Sequence, residues 1–386
     1  MPGSSKPVAT PRVVVTSIVR RAGTNERSGL LRVIDIERKR VLLQTTVPES
    51  AHRATDANPR GGTRGARGIG VHGDRLVVAN SERLFVIDPS WRVVNEITHP
   101  WTSAIHDVYA ERAGIWITCT NCDLLMKVSW EGQILDSWSW RSDRRLVRAL
   151  GFHSVPRFRP NVDYREPRAM RGGAYNIVHL NGVFRGRQGL LVSFGRVLSP
   201  SRLRRRRVDA YLGRAATKLG IPPRRGRPRE GSPFVQGQGI VGSSFAIVRL
   251  GDAETASRQA RIVLRQNGVN VPNHNVFETP DGKLVFNDSN RGALVLRNPG
   301  PGAVEAAVPT PGSARSFLRG LAVLPDGTFL VGDQAPPAVH RIDLTAGRVV
   351  SSFPLDGPEH ESVYGVAVLP DAFEEPGDVD LSRTPR

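Results

Sequence analysis

Six stretches of this chain share one hydrophobic pattern: RGIGVHGDRLVVAN from Arg67, HDVYAERAGIWITCT from His106, NGVFRGRQGLLVSFG from Asn181, HNVFETPDGKLVFND from His274, RGLAVLPDGTFLVGD from Arg319 and YGVAVLPDAF from Tyr364. Each begins with a strand-forming run rich in small apolar residues, and most pass through a Gly-containing turn into a second strand. Further strand pairs follow most of them, such as RLFVIDPSWRVVNEI and AVHRIDLTAGRVVSSF. A four-stranded unit cannot bury both faces alone, so repetition around an axis is the natural solution. That solution is a propeller, whose first strand is rich in Gly, Ala and Val because it lines a crowded centre.

The last unit stops near Phe373, soon after its first strand, and the N-terminal segment VVVTSIVRR to VLLQTTV supplies three more. The expected fold is all-β: a six-bladed β-propeller closed by N- and C-terminal strands sharing one blade. Residues 1–373 then form a single domain, with an Arg-rich insertion at 197–240 in blade 3 and a flexible tail at 374–386.

Composition narrows the setting. No apolar run reaches eighteen residues, so no transmembrane helix is expected. The N-terminal VVVTSIV reads as a strand rather than a secretory segment, which gives a cytoplasmic expectation. Cys119 and Cys122 in TCTNCD lack a βαβ context and a second ligand pair, and are read as structural thiols. Of the net charge of +18, the stretch 201–230 alone carries +9 from ten Arg and one Lys against Asp209 and Glu230. Such an insertion suits a polyanion or an acidic surface, and equally a solvated loop. Because the charge is so local, nucleic acid is not expected to be the main partner.

Arg67, His106, Asn181, His274, Arg319 and Tyr364 hold equivalent places at the start of the innermost strand, one per blade. His179 precedes Asn181 by two residues, so strand alternation places both on one face. Packing does not explain large polar residues at these positions, and together they are expected to converge on one mouth of the channel. Three chemistries fit. His106, His179 and His274 could hold a divalent metal such as zinc with an open position. One imidazole could act as nucleophile while its neighbours hold an anion. Or Arg67 and Arg319 could bind a carboxylate, sulfate or phosphate without reaction.

Four local motifs resemble those of the arylsulfate sulfotransferases, six-bladed enzymes that move a sulfuryl group between phenols without a nucleotide donor. They are IHDV around His106, VHLNGV around His179 and Asn181, LLVSFGRV ending near Arg196, and NHNVFETPDGKLVFNDSN around His274. The resemblance implies that His274 attacks the donor sulfate ester to give a sulfohistidine, with no cofactor. Asn181, Arg196 and His179 would donate to the sulfuryl oxygens. His106 would be the base for the acceptor hydroxyl, with Asp107 as an orienting partner that strand alternation disfavours. The partners implied are a small-molecule sulfate ester and a hydroxyl acceptor; Trp101, Tyr109 and Phe184 lie near the motif strands. Peptidylglycine-type lyases resemble the constellation differently, with three metal-binding His and with Tyr364 and Arg319 as an acid-base pair. A sugar-lactone hydrolase fits less well, because its usual carboxylate ligands are missing from the ring.

Overall fold

The computed structural model describes residues 11–23, 26–55, 65–166, 176–205, 208, 212, 243–251, 259–267, 272–312 and 316–381. Its described strands form six four-stranded antiparallel sheets. Blade 1 is β4 (Ile69–His72), β5 (Arg75–Ala79), β6 (Arg83–Ile87) and β7 (Val93–Thr98); β1 to β3 belong to the closing blade given below. Blade 2 is β8 (Ile105–Glu111), β9 (Gly114–Cys119), β10 (Leu124–Val128) and β11 (Ile134–Ser139). Blade 3 is β12 (Leu180–Gly186), β13 (Gly189–Val197), β14 (Ser244–Leu250) and β15 (Ala260–Asn267). Blade 4 is β16 (His274–Glu278), β17 (Leu284–Asp288), β18 (Ala293–Arg297) and β19 (Val304–Pro309). Blade 5 is β20 (Arg319–Val323), β21 (Phe329–Gln334), β22 (Pro337–Asp343) and β23 (Arg348–Pro354). The closing blade 6 pairs β24 (Glu361–Val368) with β1 (Arg12–Val19), β2 (Gly29–Asp35) and β3 (Arg40–Thr45), in the order β24-β1-β2-β3. Each innermost strand touches the next around a full circle. The six-bladed ring and its shared closing blade therefore match the expectation from sequence.

Buried apolar side chains fill the spaces between blades, including Trp116, Trp140 and Phe194. The innermost strands approach so closely that side chains are excluded just inside the ring. A Cβ on Gly365 would sit 2.7 Å from both Arg67 O and Thr16 Oγ. Gly320, at φ 70°, stands equally close to the next blade, with Val366 N at 2.9 Å from where its Cβ would be.

A buried polar network seals the closing blade. Glu361 on β24 accepts from Ser17 Oγ on β1 at 2.5 Å and from Arg32 on β2, where Nη2 lies 3.1 Å from Oε2. Arg32 Nε donates to Gln44 Oε1 on β3 at 2.7 Å. All four strands of the blade are thus joined by one chain of charge-assisted bonds, in which Ser17, Arg32 and Glu361 have almost no exposure to water.

Residues 374–381 depart from the flexible tail expected there. Trp91 Nε1 donates to Glu374 O at 3.0 Å, and Leu381 is buried against the closing and first blades. The reason is apolar residues, Val379 and Leu381, spaced to cover an open edge of the core; residues 382–386 lie outside the described set. The Arg-rich insertion separates β13 from β14. Residues 200–205 of it are helical, and apart from 197–205, 208 and 212 the segment 197–240 is also outside the described residues. Among the described residues no helix is long and apolar enough to cross a membrane.

Removing one partner of the Arg32–Glu361 pair leaves a buried charge uncompensated, which typically costs about 3–5 kcal/mol. Glu361→Ala is therefore expected to lower unfolding stability in urea by about that amount, and Arg32→Met combined with Glu361→Leu to recover much of it. Urea melts of the three proteins check this.

Candidate functional site

Five of the six equivalent positions deliver their side chains to one place at the starts of the innermost strands. The rings of His106 and His274 are parallel at 6.0 Å, and Tyr364 stands 5.4 Å from His106. The Arg319 guanidinium lies 4.5 Å over the Tyr364 ring and 4.7 Å over Phe317, and that of Arg67 lies 5.2 Å from the Tyr364 ring centroid. Arg67 Nη1 donates to Tyr364 Oη at 3.4 Å. The sixth position is the exception.

Asn181 does not join the cluster; His179 does, with its ring 4.8 Å from His106 and 6.1 Å from His274. Strand alternation fails here for two reasons. His179 has a positive φ of 50°, and a bulge between Leu180 and Gly182 interrupts the pairing of β12 with β13. The Asn181 carboxamide is spent on the backbone instead, donating to Asn273 O at 2.6 Å and accepting from Ser193 Oγ at 2.8 Å. Arg196 sits on β13, half buried, and its backbone N–H donates to Val178 O at 3.1 Å, supporting the turn that carries His179.

Hydrogen bonds settle the tautomers of two imidazoles. His106 Nδ1 lies 2.8 Å from Ala104 O, so it carries the proton and Nε2 keeps a lone pair. Arg319 Nε donates to His274 Nε2 at 3.4 Å, so His274 holds its proton on Nδ1, 2.8 Å from Ser289 Oγ. Both rings are held well below the ordinary value of 6.5, first by burial and then by cations: Arg67 and Arg319 beside His106, Arg319 beside His274. Burial also pushes Arg319 down to about 10, with Tyr364 opposing and Arg67 adding to the shift. Arg319 Nη1 is buried without a hydrogen-bond partner, as are both polar atoms of the Asn273 carboxamide next to His274. Buried donors of this kind are rare unless a ligand completes them.

A metal fits the site less well than an anion. His106, His179 and His274 offer nitrogens within 4.8 Å of one another, a donor set that zinc accepts. Against this, the Arg319 guanidinium that donates to His274 Nε2 would repel a dication.

Sequence reading missed Asp123, the residue that builds the His179 turn. Its carboxylate, fully buried between blades 2 and 3, accepts from the backbone N–H groups of Ile177 at 2.5 Å, Val178 at 2.9 Å and Leu180 at 3.3 Å. Arg141 completes the pair at 3.3 Å. The neighbouring Cys119 and Cys122 are buried free thiols, and burial raises that of Cys122 well above its usual value. Asp107 turns toward the channel rather than to the ring of His106. It accepts from Val108 N and Val183 N, both at 3.1 Å, and burial pushes it up to about 7.

No protein-family model and no curated protein matches this chain. Among solved structures it is similar to a protein of unknown function from Bacteroides caccae, with a TM-score of 0.50 and 9% identity over 92% of this chain and 98% of that one. The likeness is one of fold alone. Weaker matches include a streptogramin B lyase, at TM-score 0.41 and 14% identity over 76% and 70% of the two chains. A putative 6-phosphogluconolactonase from Bacteroides uniformis gives TM-score 0.42 and 9% identity over 91% and 85%.

The depressed imidazoles give a pH signature with a definite sign. As pH falls below 6.5 the unfolded chain takes up protons that folded His106 and His274 refuse, so the stability conferred by their neutral state is complete above 6.5 and lost progressively below it. Titration followed by NMR should show both rings neutral well under pH 6.5, and Arg319→Met should move the His274 midpoint upward.

Proposed function

We propose that this chain transfers a sulfuryl group from an aryl sulfate ester to a hydroxyl acceptor, with His274 as the nucleophile. The observation that carries this reading is a buried cluster in which Arg319 meets no carboxylate among the described residues and sets its Nε–H beside a neutral imidazole lone pair. A monoanionic sulfate ester offers oxygens for Arg319 Nη1 and Arg67, and a sulfur for His274 Nε2. In the first step the Arg319 Nε–H hydrogen bond shifts from His274 Nε2 to a sulfuryl oxygen, and the freed lone pair forms an N–S bond while the S–O bond to the ring breaks and the phenolate leaves with its electron pair. In the second, His106 Nε2 takes the proton of the acceptor hydroxyl as its oxygen attacks sulfur, and the N–S pair returns to His274. The released phenolate takes a proton from solvent and His106 returns its proton to solvent, so the balance is one phenol released per sulfate ester formed.

The neutral state of both imidazoles supports this division of roles, since neither nucleophile nor base works when protonated. His179 is the third catalytic residue, a donor to the sulfuryl oxygens, while Asn181, Arg196, Arg67, Arg319 and Tyr364 are assigned to substrate binding, Asn181 acting through the backbone it holds. A second reading rests on the three clustered imidazoles: a metal-dependent lyase or hydrolase using His106, His179 and His274. A non-catalytic anion-binding propeller is the third.

One experiment separates them. Chelator-treated protein and His274→Ala are mixed with a chromogenic aryl sulfate, and intact mass and phenol release are followed with and without a phenol acceptor. Transfer predicts one added sulfuryl group on the wild type alone, acceptor-dependent release, and a loss of roughly a thousandfold or more in the variant. Activity that disappears with chelation and returns with zinc would replace it with the metal reading. Tight sulfate ester binding with neither adduct nor release would leave the binding module.

A further inference from the structure

Beyond the polar cluster, the channel changes character within a few residues. Counting along the innermost strands, the third residue after Arg67, His106, Asn181, His274, Arg319 and Tyr364 is Gly70, Tyr109, Phe184, Phe277, Ala322 and Ala367. Three consecutive blades contribute aromatics at this level and the other three contribute Gly or Ala. Tyr109 and Phe184 meet edge to face at 5.6 Å, and Phe184 and Phe277 at 4.7 Å, forming a continuous wall. The small residues opposite leave space unfilled. All six residues line one cavity of about 300 Å³.

That volume lies at the lower end of small-molecule pockets and far exceeds the voids of a packed interior. Its aromatic arc is half buried rather than sealed, so it is open to a solute. Asp107 and Asn275, two levels nearer the imidazoles, supply the polar floor. At the same level four blades carry Gly, namely Gly68, Gly182, Gly320 and Gly365, so these two side chains are a departure from the repeat. The Asp107 carboxyl accepts from Val108 N on one oxygen and Val183 N on the other and bonds the Asn275 side chain, three of the about four acceptor sites a carboxyl has. It retains capacity for a ligand.

We propose that this cavity is a separate binding site for a one- or two-ring aromatic alcohol, its ring stacked against Tyr109, Phe184 and Phe277 and its hydroxyl on Asp107. A hydroxyl suits a carboxyl in either protonation state, because it both donates and accepts. Flat rings suit a wall of offset and edge-on aromatics. The site lies on the far side of Asp107 and Asn275 from the imidazoles and does not depend on sulfuryl transfer.

Isothermal titration of the full chain with 2-naphthol and with 2-methoxynaphthalene tests this. Saturable one-to-one binding of 2-naphthol is expected, with the methyl ether at least about tenfold weaker because it cannot donate to Asp107. Ala322→Phe, which fills the small-residue side, is expected to abolish binding, and Ala367→Leu to weaken it should the first variant fail to give a cooperative melt. His274→Ala is expected to bind like the wild type. Absence of saturable binding, equal affinity for the ether, or filled variants that bind unchanged would each overturn the proposal. Loss of binding in His274→Ala would place the ligand at the imidazole cluster and overturn it as well.

Discussion

Every innermost strand of this ring starts from a hydrogen bond made to the blade before it. Ala66 N reaches Ser17 O at 3.3 Å, Ile105 N reaches Ser81 O at 3.0 Å, Asn273 N reaches Gly195 O at 3.0 Å and Leu318 N reaches Ser289 O at 3.3 Å. Blade 3 hangs from blade 2 through Thr120 on Leu180 O and through Asp123, and blade 6 from blade 5 through Ser362 Oγ on Gln334 Oε1 at 3.2 Å. The residue after each joint carries a side chain of the cluster or stands within two of one. Site geometry is therefore a property of the closed circle, since an error at any joint propagates to the next. The Arg32–Glu361 network acts at a distance in the same way: it holds β24, and β24 holds Tyr364 against both guanidiniums.

Satisfied and unsatisfied charges are distributed unequally. Asp123–Arg141, Arg249–Glu278 and Arg32–Glu361 are buried pairs with matched partners, and they support turns and strands. Arg319 is also buried, faces an imidazole and two aromatic rings, and makes no ion pair among the described residues. Cation–π contact returns only part of the solvation such a charge gives up, on the order of 2 kcal/mol when desolvated. The remainder is a standing cost that an anion would remove on binding. A fold that can place carboxylates opposite Arg elsewhere, yet leaves this Arg without one, has stability withheld at the site where recognition is concentrated.

The repeat was legible because propeller physics demands the same small, apolar first strand six times over, and turn residues mark its length. So were five of the six clustered side chains, because equivalent strand positions fall at equivalent depth in the channel. His179, expected beside Asn181 on one face, joins the cluster without it for a reason that period-two reasoning cannot contain: a left-handed residue followed by a bulge resets the alternation. Asn275, also at positive φ, marks the same kind of break at the start of blade 4, and Asn and His are among the residues that tolerate it. Asp123 was hidden more deeply. Its partners at 177–180 are more than fifty residues away in sequence, and only the turn setting of an Asp after Asn-Cys offered any hint.

Sequence equivalence also makes differences between blades informative. At the first level the six residues are polar and five of them converge; one step on, four are Gly, as crowding requires, while Asp107 and Asn275 break the rule. Both side chains are anchored, Asp107 by two backbone donors and Asn275 by Asn287 Nδ2 at 3.1 Å, and Asp107 keeps an acceptor site toward the channel. They divide the channel into a cationic end with almost no exposure and an apolar end lined by half-buried rings. Repetition builds a channel with six-fold regularity, and a regular channel has no preferred orientation for a solute. Selectivity enters where the blades disagree, and here they disagree at successive depths in polarity, in hydrogen bonding and in size.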